Sequence, residues 1–178
     1  RYGFFQSVSI VTTTGYTLEP RSGLGGSLGL LIFVLALIGA CSGSVGGGMK
    51  VWRILLMLKV GFSNITKIIH PSAISSVKLN GEKIVSSQIE AVFSFIAIYI
   101  SFFLFFMFVL VFQNVDFYSA FSGTAAAINN LGPGLGSFSE NYSALSNVGQ
   151  FTLTMAMIVG RLELFGVLLL FVPSFWRS

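Results

Sequence analysis

Ala126-Ala-Ile-Asn-Asn-Leu-Gly-Pro-Gly-Leu-Gly136 stands between two apolar runs, Val92 to Phe112 and Phe151 to Val172. Two membrane spans are ordinarily joined by a quick polar turn or a soluble domain. Here the connection opens with a short amphipathic segment, Phe117 to Ile128, and continues into glycine and proline. Glycine permits backbone geometry that other residues avoid, and Pro133 fixes its own φ and donates no N–H. A helix that enters partway and an irregular backbone that turns back predict a re-entrant pore loop. Such backbone is tolerated at membrane depth only where protein buries it or it lines a water-filled cavity. Ion filters use this arrangement, with backbone carbonyls replacing the water around a cation.

Composition agrees. The chain of 178 residues is 54% hydrophobic and only 9% charged, with mean hydropathy +0.86, whereas soluble domains carry about 25% charged residues. The expected class is an all-α integral membrane protein in contact with the lipid bilayer. The net charge of +4 does not point to nucleic acid. The basic residues gather around one connection, Lys59 to Lys83, with no aromatic stacking pattern, and anionic lipid headgroups fit them better. The same bias makes that connection cytoplasmic. Cys41 is the single cysteine, so no disulfide forms within the chain.

Toward the N-terminus, Arg1 to Val11 has helical apolar spacing and runs into Thr12-Thr-Thr-Gly-Tyr16, which is turn material. The chain opens inside a structural element, as expected of a fragment with its N-terminal part missing. Leu18 to Gly29 is polar and glycine-rich, expected outside. From Leu24 to Val60 a single helix would run about 55 Å, too long for a core about 30 Å thick. The run Cys41-Ser-Gly-Ser-Val-Gly-Gly-Gly-Met-Lys50 therefore predicts a helix broken inside the membrane. A plain turn between a span and a surface helix is the alternative. His70-Pro71 ends a surface helix, and Asn80-Gly81 suits a turn between two short strands. Ser86 to Phe112 is a full span. Ser137 to Asn147 is polar and outer, and Phe151 to Val172 is the last span, ended by Pro173.

That last span carries Arg161 and Glu163. A charge at mid-membrane is costly and marks function by default. Residues two apart point to different helix faces, so a direct pair is disfavoured, while an ion pair with another helix remains open. Laying Gly132 over Gly15 places Phe121 on Phe4, Ala125 on Val8 and Asn130 on Thr13. In this register Arg161 lies 29 residues after Gly132, as Ser44 lies 29 after Gly15. Arg161 is therefore expected at the depth of the glycine run, donating to carbonyls of Gly43 to Gly48.

Val11-Thr-Thr-Thr-Gly-Tyr16, Cys41-Ser-Gly-Ser-Val-Gly-Gly-Gly-Met-Lys-Val51, Asn129-Asn-Leu-Gly-Pro-Gly-Leu-Gly136, Gly160-Arg-Leu-Glu163 and Pro173-Ser-Phe-Trp-Arg177 together resemble the Trk/Ktr/HKT potassium transporters, in particular the membrane subunits of bacterial Trk systems. The resemblance covers essentially the whole chain. It implies four pore repeats, each an outer helix, pore helix, filter and inner helix, of which this chain looks like the third and fourth. Residues 1–60 would be a third repeat lacking its outer helix, 61–85 a cytoplasmic loop and 86–178 the fourth repeat. Thr13, Thr14, Gly15, Asn130, Leu131 and Gly132 match the potassium filter. Gly43, Ser44, Gly46, Gly47 and Gly48 match an intramembrane gating loop, with Arg161 as its partner. The expected setting is potassium uptake across a bacterial cytoplasmic (inner) membrane by a multi-pass homodimer. A cytoplasmic regulatory subunit would bind the nucleotide, and the chain itself would need no cofactor beyond the transported potassium ion. Gly23 to Gly29 is richer in glycine than the family pattern.

Two other readings stand beside this one. A secondary transporter of a small solute would bind its cargo near the midplane at broken helices. A membrane enzyme would want His, Asp or Glu clusters in its spans. The chain offers His70 and Asp116, both in loops, plus Glu163, so no enzyme is expected.

Overall fold

The computed structural model describes residues 2–16, 29, 34–39, 41, 43–44, 47–70, 78–79, 82–139, 141–162, 166 and 176. Its first helix, α1, is Tyr2–Val11. Residues 34–38 are helical, the chain leaves the helix at Gly39, and the next helix among the described residues starts at Val51. The next helix, α2, is Val51–Ile69 and ends at His70, whose N–H bonds back to the Thr66 carbonyl. A hairpin of β1, Lys78–Leu79, and β2, Glu82–Lys83, follows, pairing Lys78 with Lys83 and Leu79 with Glu82. The Lys59 ammonium donates to the Lys78 carbonyl at 3.0 Å and ties the hairpin to α2.

Three elements make most of the core, which Ile10 of α1 and Leu56 and Val60 of α2 join. The span α3, Ser86–Phe112, is, among the described residues, the one helix long and apolar enough to cross a membrane. It buries Val92, Phe95, Ile96, Tyr99, Phe103, Phe106, Met107 and Leu110 along one flank. Phe93, Ile100, Leu104, Phe105, Phe108 and Phe112 stay on the outside, the distribution expected of a helix facing lipid. The short helix α4, Phe117–Ile128, packs between α3 and α5, Asn147–Arg161. Its residues are mostly small, so neighbouring backbones come close, and every residue from Ser122 to Ile128 is buried.

Local chemistry sets both helix starts. Ser146 accepts the Gly149 N–H at the start of α5 and donates to Gln113 at the end of α3. That cap starts α5 at Asn147, four residues ahead of the expected Phe151. Asp116 accepts the Ser119 N–H at 2.9 Å at the start of α4. That bond, ahead of lesser ones from Ser119 and Ser137 side chains, holds the Asp116 carboxyl below the usual carboxylate range. A depressed pKa contributes stability above the unfolded value of about 4 that is lost as pH falls through the folded value. Because Asp116 is exposed, the helix cap sets the scale. Asp116→Ala is expected to cost about 1 kcal/mol at pH 7, while Asp116→Asn keeps most of the cap. Thermal unfolding in detergent at pH 7 and pH 3 would check this, the Asp116→Ala deficit shrinking at pH 3.

The sequence expectations at Gly23 to Leu28, Ser42, Val45, Gly46, Asn80, Gly81, Glu163 and Pro173 lie outside the described residues. Helix α2 ends at Ile69 with His70 as its cap, where His70-Pro71 is expected to stop a surface helix. Its Ser63, Asn64, Thr66 and Lys67 lie on a largely exposed surface, so polarity there does not end the helix.

Candidate functional site: two repeated turns and a glycine loop

Helices α1 and α4 end in the same three backbone bonds. After α1, the N–H groups of Thr12, Thr13 and Thr14 donate to the carbonyls of Val8, Ile10 and Ser9 at 3.0, 3.1 and 2.9 Å. After α4, those of Asn129, Asn130 and Leu131 donate to Ala125, Ala127 and Ala126 at 3.1, 3.0 and 2.8 Å. These are the register partners that the overlay of Gly132 on Gly15 demands. Each turn pairs the two crossed bonds of a Schellman cap, with its left-handed residue at Thr13 (φ 55°) or Asn130 (φ 52°). Two residues on, φ is again positive, at Gly15 (82°) and Gly132 (98°). Asparagine tolerates that region. A β-branched threonine there is strained, and such strain gathers at functional sites.

The two turns meet. A methyl group on Gly15 would lie 2.1 Å from the Leu131 carbonyl oxygen and 3.6 Å from Pro133 Cδ. Their supports differ. The first turn is held from within: Ser9 Oγ donates to the Tyr16 carbonyl at 2.7 Å, and the Thr12 and Thr14 hydroxyls bond at 2.8 Å. The second is held by its surroundings. Tyr99 of α3 donates to Asn129 Oδ1 at 2.9 Å, Asn130 Nδ2 donates to the Met157 carbonyl of α5 at 3.2 Å, and Tyr142 donates to the Gly132 carbonyl at 2.7 Å. Behind them the returning segment is sewn to α4. Ser122 Oγ accepts the Leu135 N–H at 3.0 Å, and Ser119 Oγ accepts the Ser137 N–H at 3.0 Å. Sequence reasoning misses the Tyr99 and Tyr142 contacts. The one signal it offers is a single tyrosine in a span with eight phenylalanines.

The glycine run forms a pinched loop. Gly39 and Gly48 have φ of 73° and 94°, and a methyl on Gly48 would sit 2.9 Å from Gly39 Cα. The Met49 N–H reaches back to the Leu37 carbonyl at 3.0 Å. Gly47 presses on the end of α4, where a methyl would lie 2.2 Å from the Asn129 carbonyl oxygen. From the other side Gly160 of α5 presses on the preceding residue, a methyl there falling 1.9 Å from the Ile128 carbonyl oxygen. Gly47 and Gly160 thus reach consecutive residues of one helix end, while Gly43 and Arg161 are exposed and Ser44 is half-buried. No group of three or more His, Cys, Asp or Glu residues gathers among the described residues.

A long apolar helix with an outward phenylalanine flank and an all-helical core fit an all-α membrane protein. The family model described as "TrkH: Cation transport protein" matches residues 1–178, and the chain belongs to that family. It is 42% identical over 178 residues to the Trk system potassium uptake protein TrkH of Halomonas elongata, covering 100% of this chain and 37% of that protein. Against the Escherichia coli K12 protein of the same name it is 41% identical over 175 residues, covering 98% and 36%. The crystal structure of the potassium transporter TrkH from Vibrio parahaemolyticus superposes with a TM-score of 0.89 at 38% identity, covering 99% of this chain and 38% of that one. The chain therefore spans well under half the length of these relatives.

Proposed function

We infer that the chain supplies two of four pore repeats of a potassium uptake protein of a bacterial cytoplasmic membrane. The observation that carries this reading is the duplicated turn: the same three hydrogen bonds and the same two positive φ angles recur after α1 and α4. Carbonyls of Thr13, Thr14, Asn130 and Leu131 replace water around the dehydrated ion. Gly15 and Gly132 let the backbone turn. Two segments do not encircle an ion, and the apolar flank of α1, with Phe4 78% exposed, fits a further repeat packed against it. The multi-pass membrane subunit works as a homodimer with a cytoplasmic nucleotide-binding partner. It carries out no covalent chemistry.

The glycine loop, with Gly43, Ser44, Gly46, Gly47 and Gly48, closes the path below the filter, and Arg161 donates to its free carbonyls. A guanidinium offers five donors, and an unwound backbone offers acceptors to match. The approach of Gly47 and Gly160 to adjacent residues of α4 supports a common depth.

Rubidium uptake by the natural-length protein, with its regulatory partner, in cells lacking their own potassium uptake tests the reading. Uptake competed by potassium is expected. In Arg161→Ala, uptake persists but loses its regulation. Sound membrane expression with no uptake would turn the assignment toward a solute transporter, and unaltered regulation in Arg161→Ala would remove the gate.

A further inference from the structure

Of the three side-chain bonds that hold the second turn, the Tyr99–Asn129 bond alone is wholly buried. Tyr99 is 3% exposed and sits in the middle of the span. Phenylalanine fills eight other positions of the same helix, and it would fill this one without a polar group to desolvate. The hydroxyl is matched by one acceptor, Asn129 Oδ1. The other end of that amide, Nδ2, is buried and has no hydrogen-bond partner among the described residues. The orientation of the Asn129 side chain therefore rests on the Tyr99 bond.

Asn129 is also where three structures converge. Its N–H ends α4 on the Ala125 carbonyl. Its carbonyl carries the contact with Gly47 of the glycine loop. Its neighbour Asn130 begins the left-handed turn. A residue so placed sets the register of everything from Asn130 to Gly132.

We propose that Tyr99 is a positioning residue for ion discrimination. Its hydroxyl holds Asn129, and through Asn129 it holds the second turn at the spacing that separates potassium from sodium. The proposal rests on the filter reading above. It assigns Tyr99 no contact with the ion.

The test uses the full-length protein with its regulatory partner. Rubidium uptake is measured under competition by potassium and by sodium, beside the protein's abundance in the membrane. Tyr99→Phe removes one oxygen atom and keeps the ring. It is expected to lower the preference for potassium over sodium by about fivefold to tenfold, the scale of one hydrogen bond, with maximal flux and abundance near normal. Asn129→Val, which removes the acceptor instead, is to give the same loss. Ser101→Ala is the control. Its hydroxyl bonds the Ala97 carbonyl of its own helix at 2.8 Å, and its preference should not move. Unchanged preference in Tyr99→Phe and Asn129→Val overturns the proposal and leaves the filter reading standing. A fall in abundance and flux at constant preference also overturns it, since that is a structural role. If the unaltered protein shows no potassium-competed uptake, the filter reading fails and this inference fails with it.

Discussion

Gly15→Ala is expected to abolish uptake, and to do so more completely than Gly132→Ser, although both change a glycine of the same register. Gly15 has φ 82°, where an L-residue costs about 1–2 kcal/mol. The larger effect is collision. The new methyl would stand 2.1 Å from the Leu131 carbonyl oxygen, which belongs to the main chain of the other turn and has no rotamer to change. The two turns would have to separate, and any ion held between them would lose ligands from both at once. Gly132 has φ 98°, so serine is strained there too, but nothing lies within 4 Å of its added Cβ. Gly132→Ser should therefore leave an assembled protein that takes up rubidium with weakened discrimination against sodium. Rubidium uptake normalised to membrane abundance decides the order. Near-normal uptake by Gly15→Ala would mean that the two turns do not rest against each other as the Gly15–Leu131 contact requires.

The contrast follows from a register that is legible in the amino-acid sequence alone. Helix bounds at Phe117–Ile128 and Ser86–Phe112 can be read because apolar runs and a following glycine-proline turn mark them in the chain itself. The equivalence of Gly15 and Gly132 can be read because both close a short apolar helix. Thr13 is legible as a turn residue and not as a left-handed one, since a β-branched residue is the last choice for that backbone. The surrounding bonds, Thr13 to Ile10 and Thr14 to Ser9 among them, hold it there. The end of α2 at Ile69 is legible too, because His70-Pro71 stops a helix even where exposed polar residues resemble a loop. Tyr99 and Tyr142 are hidden. Each reaches a residue far along the chain, 30 and 10 positions away, and local pattern carries no trace of such pairs. The role of the glycines is half legible. A cluster announces a break in the helix, but which glycine touches which backbone is a tertiary fact.

That tertiary fact yields the largest expected effect on assembly. Gly160→Ala should cost more than about 3 kcal/mol, at or beyond the upper end of ordinary overpacking. Added carbon would lie 1.9 Å from the Ile128 carbonyl oxygen and 2.7 Å from its carbon. Both are main-chain atoms at the end of a helix that is buried along most of its length, so neither partner can yield locally. Helix α5 would have to move as a body. The Asn130 bond to the Met157 carbonyl, one turn away on the same helix, would stretch or break. Gly43 is the register partner of Gly160 in the other repeat, yet nothing lies within 4 Å of a methyl placed there. Gly43→Ala should accordingly cost little. Folded yield from membranes and the thermal midpoint in detergent compare the pair, with Gly160→Ala falling far below Gly43→Ala. Equal values for the two would mean that α5 does not rest on the end of α4. The asymmetry has a physical origin. After the second turn, α5 runs unbroken past the end of α4 and lies close to it, so it needs glycine at the crossing. In the first repeat the chain leaves helical geometry at Gly39, and the close approach to α4 is made by Gly47 of the loop instead.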